Sequence, residues 1–268
     1  MKILFLGDIV GEVGCLAVIN NLPNIIKEKK IDFVIVNGEN SAKQGVGITE
    51  TICKELFNCG VDVITSGNHI WDQKEIISYI EKDNRLIRPE NLISPAPGKG
   101  YGIFEAKNGL KVCVINLMGN VFMKRCEDVF KVSKKFLETN NLKEDCDFLV
   151  VDFHGETTSE KMAIGHFFDG KATLVVGTHT HVPTNDARVL EKGTGYQTDA
   201  GMCGDYDSVI GMNKSNSLNR FFKKDSQKHF PSTGKASLSG VIVETNQETG
   251  LAKNIESYIY GGILKNSV

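Results

Sequence analysis

The chain lacks any cysteine pattern that would predict disulfide bonds or a zinc–thiolate site. Its seven cysteines are odd in number, and no two are spaced as C-x-x-C. Several fall in apolar stretches, where a free thiol behaves as a small hydrophobic group. These features argue against a disulfide framework and indicate a reducing compartment.

The chain also lacks an excess of positive charge and a long apolar run. The formal net charge of −2 provides no overall basic surface, so we expect no stable nucleic-acid partner. The apolar run at residues 1–6 is too short for a signal peptide, and no later run approaches a membrane span. We therefore expect a cytoplasmic protein without a membrane partner. A small nucleotide as substrate and a homo-oligomeric state both remain open.

What the sequence does contain is the pattern of an α/β fold. Apolar strands at residues 3–6, 32–36 and 61–65 each precede a helical segment, which predicts parallel strands with right-handed crossovers. Further strands are predicted at 148–153 and 172–176, and hairpins at 101–117, 188–198 and 240–260. We find no repeat or linker, so we predict one domain over residues 1–268, with about 263–268 as a candidate disordered tail.

Local signals predict where some helices begin and bend. Pro23 should kink the helix at 13–30 or start a new one. Asp72 with Glu75, and Thr157 with Glu160, have the spacing of capping boxes. We therefore predict that a helix begins at each of these two positions.

Two histidines, His179 and His181, directly follow the strand at 172–176. In an extended segment, residues i and i+2 point to the same side, so both rings should face one cavity. Neutral imidazole is the commonest protein ligand for borderline metals. The pair is therefore a candidate wall of a metal site.

Similar side chains follow the other strands, at the edge of an α/β sheet where ligands collect. The candidate residues are Asp8, Glu39, Asn40, Asn68, His69, His154, His179 and His181. All offer oxygen or nitrogen, which suits Mn²⁺, iron, Zn²⁺ or Mg²⁺. They are too many for one zinc ion, and they suit two metals about 3.5–4 Å apart, bridged by a carboxylate and a hydroxide.

Each candidate also has an ordinary explanation. Asp8 could cap a helix, and Glu39 with Asn40 could form a turn. Singly these explanations compete well, but together they require a ligand-type residue at every strand end by chance. His166 and His229 lie in a helix and a polar loop, and we leave both outside the site.

The strand-end residues carry a resemblance to the calcineurin-like metallophosphoesterase superfamily, and within it to the YmdB-type 2′,3′-cyclic-nucleotide phosphodiesterases. The blocks are Gly7-Asp8, Gly38-Glu39-Asn40, Gly67-Asn68-His69, His154 and Gly177-Thr178-His179-Thr180-His181, with Arg88-Pro89-Glu90-Asn91 and Thr198-Asp199-Ala200-Gly201-Met202 as further stretches. The resemblance runs from Met1 to about Gly262. It implies a sandwich of two mixed β-sheets flanked by helices (α/β/β/α).

The resemblance also implies a dinuclear phosphodiesterase that converts 2′,3′-cyclic nucleoside monophosphates to 3′-nucleotides. One metal would take Asp8, Glu39, Asn40 and His181. The other would take Glu39, Asn68, His154 and His179, with Glu39 bridging. A metal-bridging hydroxide would attack phosphorus, and His69 would be the general acid that protonates the leaving oxygen.

The sequence departs from the broad superfamily in its first two blocks. Asp8-Ile9-Val10 stands where D-x-H is usual, and Gly38-Glu39 stands where GD is usual. The YmdB-type group has the same changes, with the Asn40 amide in place of the missing histidine. By resemblance we expect iron, with manganese as a substitute.

Alternatives remain for the function and for one binding residue. A phosphomonoesterase or a nuclease could use the same metals, and a regulatory protein could bind nucleotide or metal with incidental turnover. Arg88 is a candidate contact to the nucleotide phosphate or base, although a surface turn explains it equally well.

Overall fold

The structure, a computed structural model, describes residues 1–224 and 228–267. Within this part of the chain the helices are α1 (Gly11–Lys29), α2 (Glu50–Asn58), α3 (Ile76–Tyr79), α4 (Val129–Phe136), α5 (Thr158–Phe168) and α6 (Lys214–Phe221). The strands within the same residues are β1 (Lys2–Leu6), β2 (Asp8–Ile9), β3 (Phe33–Asn37), β4 (Val63–Thr65), β5 (Tyr101–Glu105), β6 (Lys111–Met118), β7 (Phe148–His154), β8 (Leu174–Thr178), β9 (Arg188–Val189), β10 (Gly195–Gln197), β11 (Met202–Asp205), β12 (Ala236–Thr245) and β13 (Ala252–Gly261).

The first sheet contains the N-terminal strands and has the order β2-β11-β12-β1-β3-β4, with β13 paired to β12. β1, β3 and β4 are parallel neighbours, as the three strand–loop–helix units predict. β12 is antiparallel to both β1 and β13, which makes the sheet mixed. The carboxyl ends of β1, β3 and β4 therefore lie side by side at one edge.

The second sheet has the order β5-β6-β7-β8-β10-β9. β6, β7, β8 and β10 are parallel, whereas β5 and β9 pair with their neighbours as hairpins. The predicted hairpins at 101–117, 188–198 and 240–260 are all present. β7 and β8 are adjacent, so His154 and the residues after Thr178 emerge at the same edge.

The core shows why the two sheets stack. In β1, Ile3 and Phe5 pack with residues of the second sheet such as Val150, whereas Leu4 and Leu6 pack with α1 and α2. Alternate β7 residues, such as Leu149, pack on the opposite side with α4 and α5. Each fully buried side chain of this kind contributes about 1.5–3 kcal/mol. The layers are helix, sheet, sheet and helix, which confirms the predicted α/β/β/α fold.

Three local predictions about helices differ from the structure. α1 continues through Pro23 as one helix of 19 residues. α3 begins only at Ile76, and the Asp72 carboxylate lies against the His69 ring instead of capping a helix. α5 does begin after Thr157, but the capping box is absent: among the described residues the Thr157 hydroxyl has no partner. Glu160 accepts instead from the backbone N–H groups of 120 and 121.

The C-terminal end of the described chain is hydrogen-bonded to the first sheet. The Asn266 side chain accepts from the Gly261 backbone N–H, and Ser267 donates its backbone N–H to Ile259. Val268, the last residue of the candidate tail, lies outside the described residues. Among the helices described, none combines the length and apolarity that crossing a membrane requires.

Candidate metal centre

Strand ends from both sheets bring the candidate residues into one buried cluster. Asp8 follows β1, Glu39 and Asn40 follow β3, and Asn68 and His69 follow β4. His154 ends β7, and His179 and His181 follow β8. The acids and amides thus come from the first sheet, whereas the imidazoles of His154, His179 and His181 come from the second. Asp8, Glu39 and His154 are at most 1% exposed.

One group of side chains surrounds the Nε2 atom of His154. Glu39 Oε1 lies 3.0 Å from it, Asn68 Oδ1 3.1 Å and His179 Nδ1 3.0 Å. One ligand-type atom from each of Glu39, His154 and His179 lies within 4.8 Å of the others. This is the compact donor set that a metal ion needs.

A second group lies next to the first, around Asp8. His181 Nε2 is 3.3 Å from Asn40 Oδ1 and 4.0 Å from Asp8 Oδ1. Asn40 donates its side-chain N–H to the carbonyl of Gly45 at 2.9 Å, which leaves its oxygen facing the cluster. Asp8 Oδ2 accepts from the backbone N–H of His179, so Asp8 connects the two groups.

The Oδ1 atom of Asp8 tests whether the cluster fits a cation. It is buried and has no hydrogen-bond partner among the described residues. A buried carboxylate oxygen without a donor is costly, and a cation is the natural partner for it. The oxygen and nitrogen donors of the two groups therefore fit the metal ions that the resemblance implies.

The pKa values of the cluster residues are shifted by burial and by the neighbouring charged groups. Burial raises the pKa of Asp8. Burial also opposes ionisation of Glu39, but the adjacent His154 ring outweighs it and lowers the Glu39 pKa to about 2. Burial disfavours a charged His154, yet Glu39 raises the His154 pKa to about 9. Burial and the His154 charge together lower the His179 pKa to about 3. A protonated His154 thus places positive charge within the cluster.

The two histidines after β8 reach the cluster by a backbone route that differs from the predicted one. β8 ends at Thr178, and His179 and His181 have φ angles of 100° and 65°. The expectation that the two histidines lie in an extended segment is therefore wrong. Left-handed φ at a residue with a side chain costs of order 1–3 kcal/mol and is concentrated at functional sites. Both rings still converge, because the backbone turns there.

Hydrogen bonds on the far side of each ring fix which nitrogen faces the cluster. His154 Nδ1 lies 2.9 Å from Thr178 Oγ1, which donates to Asp152. His181 Nδ1 lies 2.8 Å from the carbonyl of Ile210. These acceptors place the ring proton on Nδ1, so the lone pair of Nε2 points to the cluster in each neutral ring.

His179 is oriented the opposite way. Its Nε2 lies 3.0 Å from the Glu156 carboxylate, so its Nδ1 faces the cluster. The supporting residues Asp152, Glu156 and Thr178 were not among the sequence candidates. Thr178 belongs to a quoted block, but the sequence contains no signal for the other two.

His69 lies at the open side of the cluster. Its backbone N–H donates to Glu39 Oε2 at 3.0 Å, and its Nδ1 lies 2.7 Å from Asp72 Oδ2. Its side chain is 31% exposed, in contrast to the buried His154. Asp72 therefore holds the ring and Glu39 holds the backbone, and the ring is accessible to a substrate. The Lys124 ammonium donates to the carbonyl of Asn68 at 2.6 Å and adds positive charge to this rim.

The guanidinium of Arg88 is hydrogen-bonded within its own loop. Its guanidinium donates to the carbonyls of Pro89, Glu90, Ala96, Pro97 and Gly98, and pairs with the Glu90 carboxylate at 3.3 Å. The side chain is 12% exposed. These contacts favour a role in holding the loop. Contact between Arg88 and substrate stays a prediction.

Comparisons with known proteins agree with this geometry. The model of a family described as YmdB-like protein matches residues 4–258. A 2′,3′-cyclic-nucleotide 2′-phosphodiesterase of Bacillus subtilis (strain 168) is 42% identical over 256 residues, which cover 96% of each chain.

Two solved structures are also similar. A hypothetical protein from Thermus thermophilus shares 39% identity with a TM-score of 0.89, covering 98% of this chain and all of the other. A Mycoplasma pneumoniae protein described as a novel phosphatase shares 37% identity with a TM-score of 0.88, covering 97% and 93%.

Proposed function

Because the chain belongs to the YmdB-like family, we propose that this metallophosphoesterase is a phosphodiesterase that opens 2′,3′-cyclic nucleoside monophosphates to 3′-nucleotides. The observation that carries the proposal is the buried cluster of oxygen and nitrogen donors, next to which Oδ1 of Asp8 has no hydrogen-bond partner among the described residues. The substrate class follows the name of the Bacillus subtilis relative. A five-membered cyclic phosphate also carries ring strain, which favours its opening.

The two groups of side chains support a pair of metal ions. One ion would be held by Asp8, Glu39, Asn40 and His181, and the other by Glu39, Asn68, His154 and His179. Carboxylate, amide and imidazole donors suit iron, which we propose as the metal, and also manganese as a substitute. When bound, two such cations would neutralise the phosphate oxygens and supply hydroxide at neutral pH.

His69 would provide the proton for the departing 2′ oxygen. An alkoxide is a poor leaving group, so a positioned acid within hydrogen-bond reach is worth about 10²–10⁴-fold in rate. Asp72 accepts at Nδ1 of His69, which leaves Nε2 free to donate. The partial exposure of the ring lets a nucleotide approach it, whereas His154 is fully buried.

A substrate panel tests the proposal. Purified protein loaded with Fe²⁺ or Mn²⁺ would be incubated with 2′,3′-cyclic AMP, 3′,5′-cyclic AMP, 3′-AMP and an aryl phosphodiester, with products separated by chromatography. We expect 3′-AMP to accumulate from the 2′,3′-cyclic substrate without further hydrolysis. Faster release of phosphate from 3′-AMP would instead favour a phosphomonoesterase. Metal-replete protein that binds the nucleotide without turning over any diester would favour a regulatory binding protein.

A further inference from the structure

A fully buried ion pair lies behind the two histidines that follow β8. Lys161, on α5, places its Nζ 2.5 Å from Oδ2 of Asp199, in the segment between β10 and β11. Both side chains are 1% exposed. Removing two charges from water is costly, so a buried pair is weak evidence for stability alone. The contacts of this pair point to another purpose.

The Asp199 carboxylate connects the loops that carry three of the proposed ligands. Besides Lys161, its Oδ2 accepts from the backbone N–H and the hydroxyl of Thr180, at 3.2 and 2.7 Å. Its Oδ1 accepts from the backbone N–H of Gly201 at 2.8 Å. The carbonyl of Gly201 in turn accepts from the backbone N–H of Asp8 at 3.1 Å.

Thr180 is the residue between His179 and His181, both of which have left-handed φ angles. A turn with two unfavourable residues does not persist unless its surroundings determine it. The two hydrogen bonds from Thr180 to one carboxylate hold the centre of this turn. The aliphatic part of Lys161 also packs close to Gly177, just before this turn. A Cβ on Gly177 would lie only 2.9 Å from Lys161 Cδ.

Lys161 also neutralises the charge of the Asp199 carboxylate. Both carboxylate oxygens of Asp199 accept hydrogen bonds, and the ammonium neutralises the carboxylate. Asp199 is thereby kept away from metal coordination, although it is close to the cluster. An uncompensated carboxylate at this position would disturb the charge balance that Asp8 and Glu39 establish.

We propose that Lys161 and Asp199 are positioning residues of the metal centre, which fix the turn that aims His179 and His181. This inference rests on the proposed function in so far as it takes those two histidines as ligands. The pair acts through Thr180 and Gly201 and touches neither metal nor substrate. Partners behind metal ligands typically change metal affinity by roughly 10–100-fold.

The principal test is the double variant Lys161→Met/Asp199→Asn, which removes both charges and keeps the volume. Chelator-treated protein would be titrated with Mn²⁺ by calorimetry and by electron paramagnetic resonance. We expect a dissociation constant raised by roughly tenfold or more and an altered Mn²⁺ spectrum. At saturating Mn²⁺, kcat of the double variant should differ from the wild-type value by a smaller factor than the dissociation constant does. A wild-type dissociation constant and spectrum would overturn the proposal.

Two further variants separate positioning from folding. Thr180→Val keeps the ion pair and removes one hydrogen bond, so it should weaken Mn²⁺ binding in the same direction but less. Thr194→Val is the control, because the hydroxyl of Thr194 also donates a hydrogen bond, to the carbonyl of Ala172 at the opposite end of the second sheet. It should lower the melting temperature without changing Mn²⁺ affinity. Equal weakening in both variants would overturn the proposal.

The same titrations distinguish this inference from the proposed function. If wild-type protein binds two Mn²⁺ ions yet hydrolyses no phosphodiester, the function fails while the affinity comparison still decides the role of the pair. If the wild type is active and the double variant binds Mn²⁺ unchanged, only the inference fails.

Discussion

The Nδ1 atom of His69 lies 2.7 Å from Oδ2 of Asp72, three residues further along the chain. The carboxylate holds the ring in one orientation at the rim of the cluster, and the backbone of His69 is itself held by Glu39. A ring fixed by an acid beside a metal site, yet not part of the donor set, has the arrangement of a proton donor.

The first prediction concerns the ring itself. His69→Ala should retain two equivalents of metal and lose turnover by roughly 10²–10⁴-fold, because only the proton donor is removed. Metal analysis and kcat on the same sample check this. Loss of metal from the variant would instead identify His69 as a ligand.

The second prediction concerns its partner. Asp72→Asn keeps the size of the side chain but removes the charge that orients the His69 ring. We expect kcat to fall by roughly tenfold or more, an increase in the barrier of about 1.4 kcal/mol. Glu50→Gln is the control, since Glu50 forms a comparably short ion pair with Lys54 on α2. Equal kinetics in both variants would argue against a role for Asp72.

The third prediction concerns the space at Gly67. A Cβ there would lie 2.3 Å from Glu39 Oε2 and 2.4 Å from His154 Nε2. Gly67→Ala should therefore push these two groups apart and abolish binding of at least one metal, as measured by elemental analysis. Gly109→Ala, where a Cβ would meet nothing within 4 Å, should keep its metal content.

The fourth prediction is a dependence of metal affinity on pH. Without metal, the His154 pKa is about 9, so the ring is protonated at neutral pH and must release that proton to bind a cation. Glu39 and His179, with pKa values of about 2 and 3, have already lost theirs. Affinity should therefore rise with pH, by roughly tenfold per unit from about 7 until 9.

Calorimetry in buffers of different ionisation enthalpy measures the released proton directly. We expect about one proton per protein molecule near pH 7.5, released when the site that contains His154 is filled. His166→Ala should not change this number, because His166 is exposed on α5 and outside the cluster. Affinity that is constant between pH 7 and 9 would contradict the role of His154.

The fifth prediction decides between two roles for Arg88. Because its guanidinium is occupied by carbonyls of its own loop, Arg88→Met should lower the free energy of unfolding by about 1–3 kcal/mol. The KM for a cyclic nucleotide should stay near the wild-type value. A raised KM with unchanged melting temperature would support the contact to the nucleotide phosphate or base predicted from the sequence.

Much of the cluster could be predicted because strand ends are visible in the sequence. Parallel strands with ligand-type residues directly after them must converge at one edge, which is how Asp8, Glu39 and His154 were found. The layering of the two sheets was implied by the family resemblance, because the continuously apolar β1 does not itself show that alternate residues face different layers.

Other features could not be predicted because tertiary contacts determine them. Asp72 has the spacing of a helix cap, but a nearby histidine competes for its carboxylate. Glu160 has the spacing of a capping box, yet it accepts from a loop 40 residues earlier in the chain. The left-handed backbone at His179 and His181 flanks Thr180, which is hydrogen-bonded to Asp199, and no local pattern connects Asp199 to this turn.

The division of donors between the sheets has a consequence for the molecule as a whole. The proposed oxygen ligands lie in one half of the sandwich and the proposed nitrogen ligands in the other, so neither half provides a mixed donor set alone. A bound cation would link the two sheets, joining residues as far apart in sequence as Asp8 and His181. The Asn37–Asp152 hydrogen bond, 3.0 Å long, also joins the two sheets next to the cluster. The complete donor set is therefore present only when the two sheets are packed together.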